Sequence, residues 1–121
     1  MAKIAVVDDS SATVSMLTSI LQSAGHTVLA YTDAATVEME LKKALPDLIL
    51  LDIVMPEKNG YEIIRALRRD SHTKDIPVVI VSTKSESTDI IWGKRQGAVD
   101  YITKPFTPER VLSCVAIHLK P

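Results

Sequence analysis

An acid stands at position 52, directly after the apolar run Leu48-Ile-Leu-Leu51, which lies between Pro46 and Pro56. Such a run reads as a strand covered on both faces. A carboxylate where a covered strand runs out must meet water, a cation or a partner, because burying it bare costs on the order of several kcal/mol. Asp8 and Asp9 follow a second apolar run, Lys3-Ile-Ala-Val-Val7; Ser82 and Thr83 follow a third, residues 76–81; Lys104 follows a fourth, residues 99–103. If the four runs are parallel strands, three acids, a hydroxyl and an amine converge, since the C-terminal edges of parallel strands share one side of the sheet. Carboxylates about 4 Å apart repel by roughly 4 kcal/mol at an effective dielectric of about 20, so the group calls for a cation. One amine cannot neutralise three acids, whereas a hard divalent ion bound through oxygen fits. The chemistry this grouping supports is phosphoryl transfer to Asp52. Asp8 and Asp9 would hold the metal, Lys104 would pair with a phosphoryl oxygen and Ser82 would take up another. Each residue also has an ordinary use: helix caps for the acids, a strand-end turn for Ser82, solvent for Lys104.

The rest of the pattern has to position these residues. After the first strand, Val14, Leu17, Ile20, Leu21 and Ala24 share a helical face, with Ser10 or Ser11 as cap and Gly25 at the far end. Residues 27–31 read as a second strand. Asp33 is expected to open a helix through Val37, Leu41, Ala44 and Leu45 that ends before Pro46. The loop 57–60 leads into a helix with Ile63, Ile64 and Leu67 on one side, and with Arg65, Arg68 and Arg69 on a solvated face. Residues 86–96 are a helix with a polar start, in which Ile90, Ile91 and Trp92 are adjacent rather than spaced. Trp92 suits either a partner-facing surface or partial packing. Thr107-Pro108-Glu109 starts a last helix. Five alternations with short connections predict a doubly wound, five-stranded parallel sheet with helices on both faces.

Composition bounds the function. At 121 residues one domain is expected over 1–121, and 46% hydrophobic with 24% charged residues is an ordinary globular mix. Fourteen basic against fifteen acidic residues give a net charge of -1, so no overall field draws the chain to nucleic acid or an anionic membrane. Cys114 is the sole cysteine; it allows no intramolecular disulfide and no thiol cluster for zinc, and its helix-like setting is that of a packed small hydrophobe. No run approaches the ~18 apolar residues of a membrane span, and a cytoplasmic protein is expected.

Val6-Val-Asp-Asp-Ser10, Leu51-Asp-Ile-Val-Met-Pro56 with Asn59-Gly60, the strand ending in Ser82, and Lys104-Pro-Phe106 resemble the receiver domain of two-component response regulators, of the single-domain chemotaxis-regulator type. The resemblance covers essentially the whole chain. It implies a flavodoxin-like fold, Mg²⁺ bound by Asp8, Asp9, Asp52 and the backbone carbonyl of Val54, and phosphorylation of Asp52 by a histidine kinase. It further implies that Ser82 shifts toward the phosphoryl group while Tyr101 turns inward, altering the surface of the fourth helix, fifth strand and fifth helix that meets a downstream protein. It also implies a cis peptide before Pro105. Thr83-Lys84 and Trp92-Gly-Lys-Arg-Gln-Gly-Ala98 resemble the small regulators of type IV pilus twitching motility. Ser82 stands where many receivers carry threonine and keeps the hydroxyl. Val54 offers no side-chain ligand beside Asp52. The alternatives are a phosphate sink for a sister regulator and a Mg²⁺-dependent aspartyl phosphatase, which would want a second acid where Val54 stands. A flavin-binding domain of similar topology is a third.

Overall fold

The computed structural model describes residues 2–56 and 58–119; Glu57, expected in a loop, lies outside them. Among the described residues, strands and helices alternate in the order β1 (Lys3–Val7), α1 (Ser11–Ser23), β2 (Thr27–Tyr31), α2 (Val37–Ala44), β3 (Leu48–Leu51), α3 (Gly60–Arg69), β4 (Val78–Ser82), α4 (Ser87–Gln96), β5 (Asp100–Thr103) and α5 (Pro108–His118). Every strand pair is parallel, and the strand order is β2-β1-β3-β4-β5. This is the doubly wound, flavodoxin-like sheet that the alternating pattern predicts.

The uninterrupted apolar runs are explained by the two cores they feed. Successive strand side chains point to opposite faces, so a strand covered twice must be apolar at every position. Ala5, Val7, Ile49, Leu51, Val78 and Ile80 pack with Val37, Leu41, Ile63, Ile64 and Leu67 of α2 and α3. On the other face, Ile4, Val6, Leu48, Leu50, Val79 and Val81 pack with Val14, Leu17 and Leu21 of α1 and with Val111, Cys114 and Val115 of α5. Cys114 is fully buried there, as a packed small hydrophobe should be. Edge strand β2 is only partly covered. No described helix is long and apolar enough to cross a membrane.

Local chemistry moves several boundaries. Helix α2 begins at Val37 rather than at Asp33, because the Asp33 carboxylate folds back to accept the Ala35 N–H at 2.9 Å and so favours a turn. Leu45 does not join the core; it caps α2 in the left-handed conformation (φ 47°) and is 44% exposed, as the helical region is disfavoured before Pro46. Strand β4 starts two residues later than the pattern suggests: the Ile76 N–H is taken by the Thr73 carbonyl and Pro77 has none to give. It continues through Ser82, which pairs with Thr103. The polar start of α4 is a cap, where the Asp89 carboxylate accepts the Glu86 N–H at 3.2 Å. Arg68 is not simply solvated. Its guanidinium donates to the carbonyls of Gly97, Lys74 and Ile76 at 2.9 to 3.2 Å, tying the end of α3 to the loops that lead into β4 and β5.

Candidate functional site

Strand order reverses between β1 and β3, and a crevice opens at such a point because the flanking connections leave toward opposite faces. Val7 and Leu51 are register partners, so the next residues, Asp8 and Asp52, leave the sheet side by side. The Asp52 N–H donates to the Val7 carbonyl at 2.9 Å and extends the ladder by one step. Both acids are buried, at 2% and 6% exposure, while Asp9 faces solvent. Carboxylate oxygens of Asp8, Asp9 and Asp52 all lie within 4.8 Å of one another.

The Lys104 ammonium bridges the two buried acids, 2.8 Å from Asp8 Oδ2 and 3.3 Å from Asp52 Oδ2. It is delivered by the end of β5, where the Lys104 N–H donates to the Ser82 carbonyl at 2.8 Å and the Lys104–Pro105 bond is cis. Burial works against the charged ammonium, but its hydrogen bond to Asp8 and the charges of Asp52 and Asp8 prevail, so its pKa is raised. Backbone amides hold the remaining oxygens: Ser10 N–H donates to Asp8 Oδ1 at 2.9 Å and Val54 N–H to Asp52 Oδ1 at 3.1 Å. Ser10 also caps α1 by accepting the Thr13 N–H, so one turn both starts the helix and aims Asp8. Three carboxylates against one ammonium leave two negative charges. An all-oxygen donor set with that excess, one member open to water, suits a hard divalent cation.

Ser82 and Tyr101 meet at a residue whose part the sequence does not announce. The buried Ser82 hydroxyl accepts the Lys84 N–H at 3.3 Å, and the Tyr101 hydroxyl donates to the Lys84 carbonyl at 2.7 Å. Tyr101 is 5% exposed, and burial pushes its phenol up to about 12. Lys84 acts through its backbone, which carries no side-chain signature; the only available hint is its place two residues after Ser82. The Val54 side chain is exposed, while its amide serves Asp52. Trp92 is 49% exposed and meets Tyr61 edge-on, with ring centroids 6.5 Å apart.

A parallel doubly wound sheet with an acidic, lysine-braced cluster at its switch point defines a class of α/β domain. Within it, this chain belongs to the response regulator receiver domain family, whose model matches residues 4–116. It is 44% identical over 115 residues to protein PilH of Pseudomonas aeruginosa, covering 95% of each chain. It is 35% identical to the DNA-binding response regulator MtrA of Mycobacterium tuberculosis, but spans only 50% of that protein's length. The chemotaxis protein CheY4 of Vibrio cholerae has the same fold with a TM-score of 0.91 at 34% identity, over 98% of this chain and 99% of that one. The BeF3-activated receiver domain of Klebsiella pneumoniae RstA superposes with a TM-score of 0.90 at 28% identity, over 98% and 99%.

Proposed function

We propose that the protein is a switch that accepts a phosphoryl group on Asp52 from the phosphohistidine of a histidine kinase and then changes its affinity for a protein partner. The observation that carries this is the Lys104 ammonium bridging Asp8 and Asp52, with Asp9 alongside. An Asp52 oxygen forms the new bond to phosphorus while the bond from phosphorus to the donor breaks, the leaving group keeping the electron pair. Lys104 is placed to follow a developing phosphoryl oxygen, and the Ser82 hydroxyl to take another once it leaves Lys84. Asp8, Asp9, Asp52 and the Val54 carbonyl would hold Mg²⁺, which when bound supplies charge against the phosphoryl oxygens. Because Ser82 and Tyr101 share Lys84, a shift of the Ser82 hydroxyl loosens the segment that anchors Tyr101 between α4 and β5. Ile91 of α4 and Val99, just before β5, are exposed, which supports an α4-β5-α5 face as the partner surface. The likeness to PilH and CheY4 favours motility or chemotaxis-like signalling inside the cell. Val54 in place of a second acid disfavours a phosphatase.

Incubated with acetyl phosphate and Mg²⁺, the wild type should gain one phosphoryl mass on intact-protein mass spectrometry and Asp52→Asn none. Labelling of Asp52→Asn would assign the acceptor elsewhere.

Magnesium alone offers a second measurement. Binding to the native state adds about 2.7 kcal/mol at a hundredfold excess over Kd. The melting temperature should therefore rise by several degrees in the wild type and stay flat in Asp9→Asn; equal shifts would remove Asp9 from the cation site.

A further inference from the structure

At the opposite end of β5 from Lys104, three metal-ligating side chains meet that phosphoryl chemistry does not use. Asp100 opens the strand, while Cys114 and His118 stand four residues apart on α5 and so share one helical face. A single carboxylate oxygen, Asp100 Oδ2, lies 3.4 Å from Cys114 Sγ and 3.0 Å from His118 Nε2. All three ligand atoms fall within 4.8 Å of one another. A tetrahedral zinc ion with Zn–S of about 2.3 Å and Zn–O and Zn–N of about 2.0 Å sets sulfur roughly 3.5 Å, and nitrogen roughly 3.3 Å, from the oxygen. The sulfur–oxygen and nitrogen–oxygen pairs already stand within a few tenths of an ångström of those separations.

We propose that Asp100, Cys114 and His118 form a binding site for Zn²⁺, with water in the fourth position. The proposal is independent of the phosphoryl reading.

The surroundings favour an oriented site over an accidental cluster. The other oxygen of Asp100 is occupied, accepting the Tyr101 N–H at 2.8 Å and Arg110 Nη2 at 3.4 Å. Arg110 is itself anchored on the Tyr101 carbonyl at 3.0 Å. Such outer contacts fix a ligating carboxylate and leave one oxygen for the ion. Desolvation opposes the charge on Asp100, but its hydrogen bonds with Tyr101, His118 and Cys114 and the nearby Arg110 hold the carboxyl at about 2, so it is ionised. Burial pushes the Cys114 thiol up to about 12, which works against binding, and its proton passes to solvent only as the Zn–S bond forms. Asp100 and His118 side chains are each 22% exposed, which gives the ion an entry path and room for the water. Thiolate and carboxylate together neutralise a divalent ion. The mixed sulfur, nitrogen and oxygen set selects zinc over the magnesium expected at the all-oxygen rim. With two ligands on α5 and one on β5, the ion would tie the last helix to the strand that carries Tyr101.

The test uses Zn²⁺ and its spectroscopic substitute Co²⁺ on the whole protein. One Zn²⁺ per chain should appear by native mass spectrometry. Co²⁺ should give near-ultraviolet thiolate charge-transfer absorption and the intense visible bands of tetrahedral cobalt. The charge-transfer band should vanish in Cys114→Ser. Affinity should fall at least about 100-fold in His118→Gln, beyond the 10- to 100-fold that an outer-shell loss brings. His118 is partly exposed near the helix end, so this variant keeps the fold if the buried Cys114→Ser does not. The cobalt spectrum should persist in Asp9→Asn. A six-coordinate spectrum without the thiolate band, unchanged binding in His118→Gln, or loss of binding in Asp9→Asn would each overturn the site.

Discussion

Gly60→Ala should lose about 3 kcal/mol of stability, the upper part of the usual overpacking range, and lower the melting temperature by on the order of 10 °C. A Cβ at Gly60 would stand 2.5 Å from Ile53 Cα and 2.6 Å from the Asp52 carbonyl oxygen. Both atoms are backbone, so no rotamer change relieves the clash. Gly60 is the first residue of α3, behind the Asn59 cap, and its N–H donates to the Ile53 carbonyl at 3.1 Å. The helix start is thus pressed directly onto the segment that carries Asp52, and relief must come from moving one against the other. A displacement of about 1 Å at a reacting group costs up to roughly 100-fold in rate, so phosphorylation by acetyl phosphate should slow by that order in the fraction that remains folded. Gly25→Ala is the contrasting case. Its Cβ meets nothing within 4 Å, and only the left-handed φ of 88° penalises it, by about 1 kcal/mol. Thermal melts followed by circular dichroism, with labelling time courses, check both variants; equal losses would mean that the close approach at Gly60 is not what demands glycine.

The contrast shows which features a one-dimensional pattern carries. Runs such as Leu48–Leu51 were legible because burial on both faces leaves no polar position to confuse the period. The placement of Asp8, Asp52 and Lys104 followed from the parallel sheet alone, since adjacent parallel strands end at one rim. Boundaries set by a side chain turning back on its own backbone were not legible: Asp33 reads equally as a helix cap or as a turn acceptor until its partner is known. Arg68 looked like any arginine on a polar helix face, and its carbonyl partners belong to two separate loops whose closeness to it only the fold sets. Lys84 was hidden because its contribution is a peptide group that every residue possesses. The triad of Asp100, Cys114 and His118 escaped for another reason: a search for zinc sites by cysteine clusters passes over one thiol whose partners come from a strand and from the next helical turn.

Lys104→Met should separate the two roles of the bridging amine, because methionine keeps the length of the stem and removes the charge. Breaking a fully buried ion pair from one side costs about 3 to 5 kcal/mol. Here the rim stays in contact with water through Asp9, so a loss of about 2 kcal/mol is expected in magnesium-free buffer. The ammonium sits at hydrogen-bond distance from both buried acids, and its raised pKa keeps it charged wherever the protein is folded near neutrality. It therefore offsets the repulsion between Asp8 and Asp52, and in doing so it competes with any cation that those acids bind. Without it, Mg²⁺ should stabilise the protein more than it does the wild type, and part of the lost stability should return as magnesium is added. Transfer from acetyl phosphate behaves in the opposite sense. Removing one preorganised donor from developing negative charge costs roughly 10²- to 10³-fold in rate, and a larger ground-state affinity for the metal does not restore it. Melting curves across a magnesium titration, set beside labelling rates at saturating magnesium, distinguish these effects. A magnesium shift smaller than that of the wild type would mean that Lys104 helps to assemble the cation site rather than opposing it.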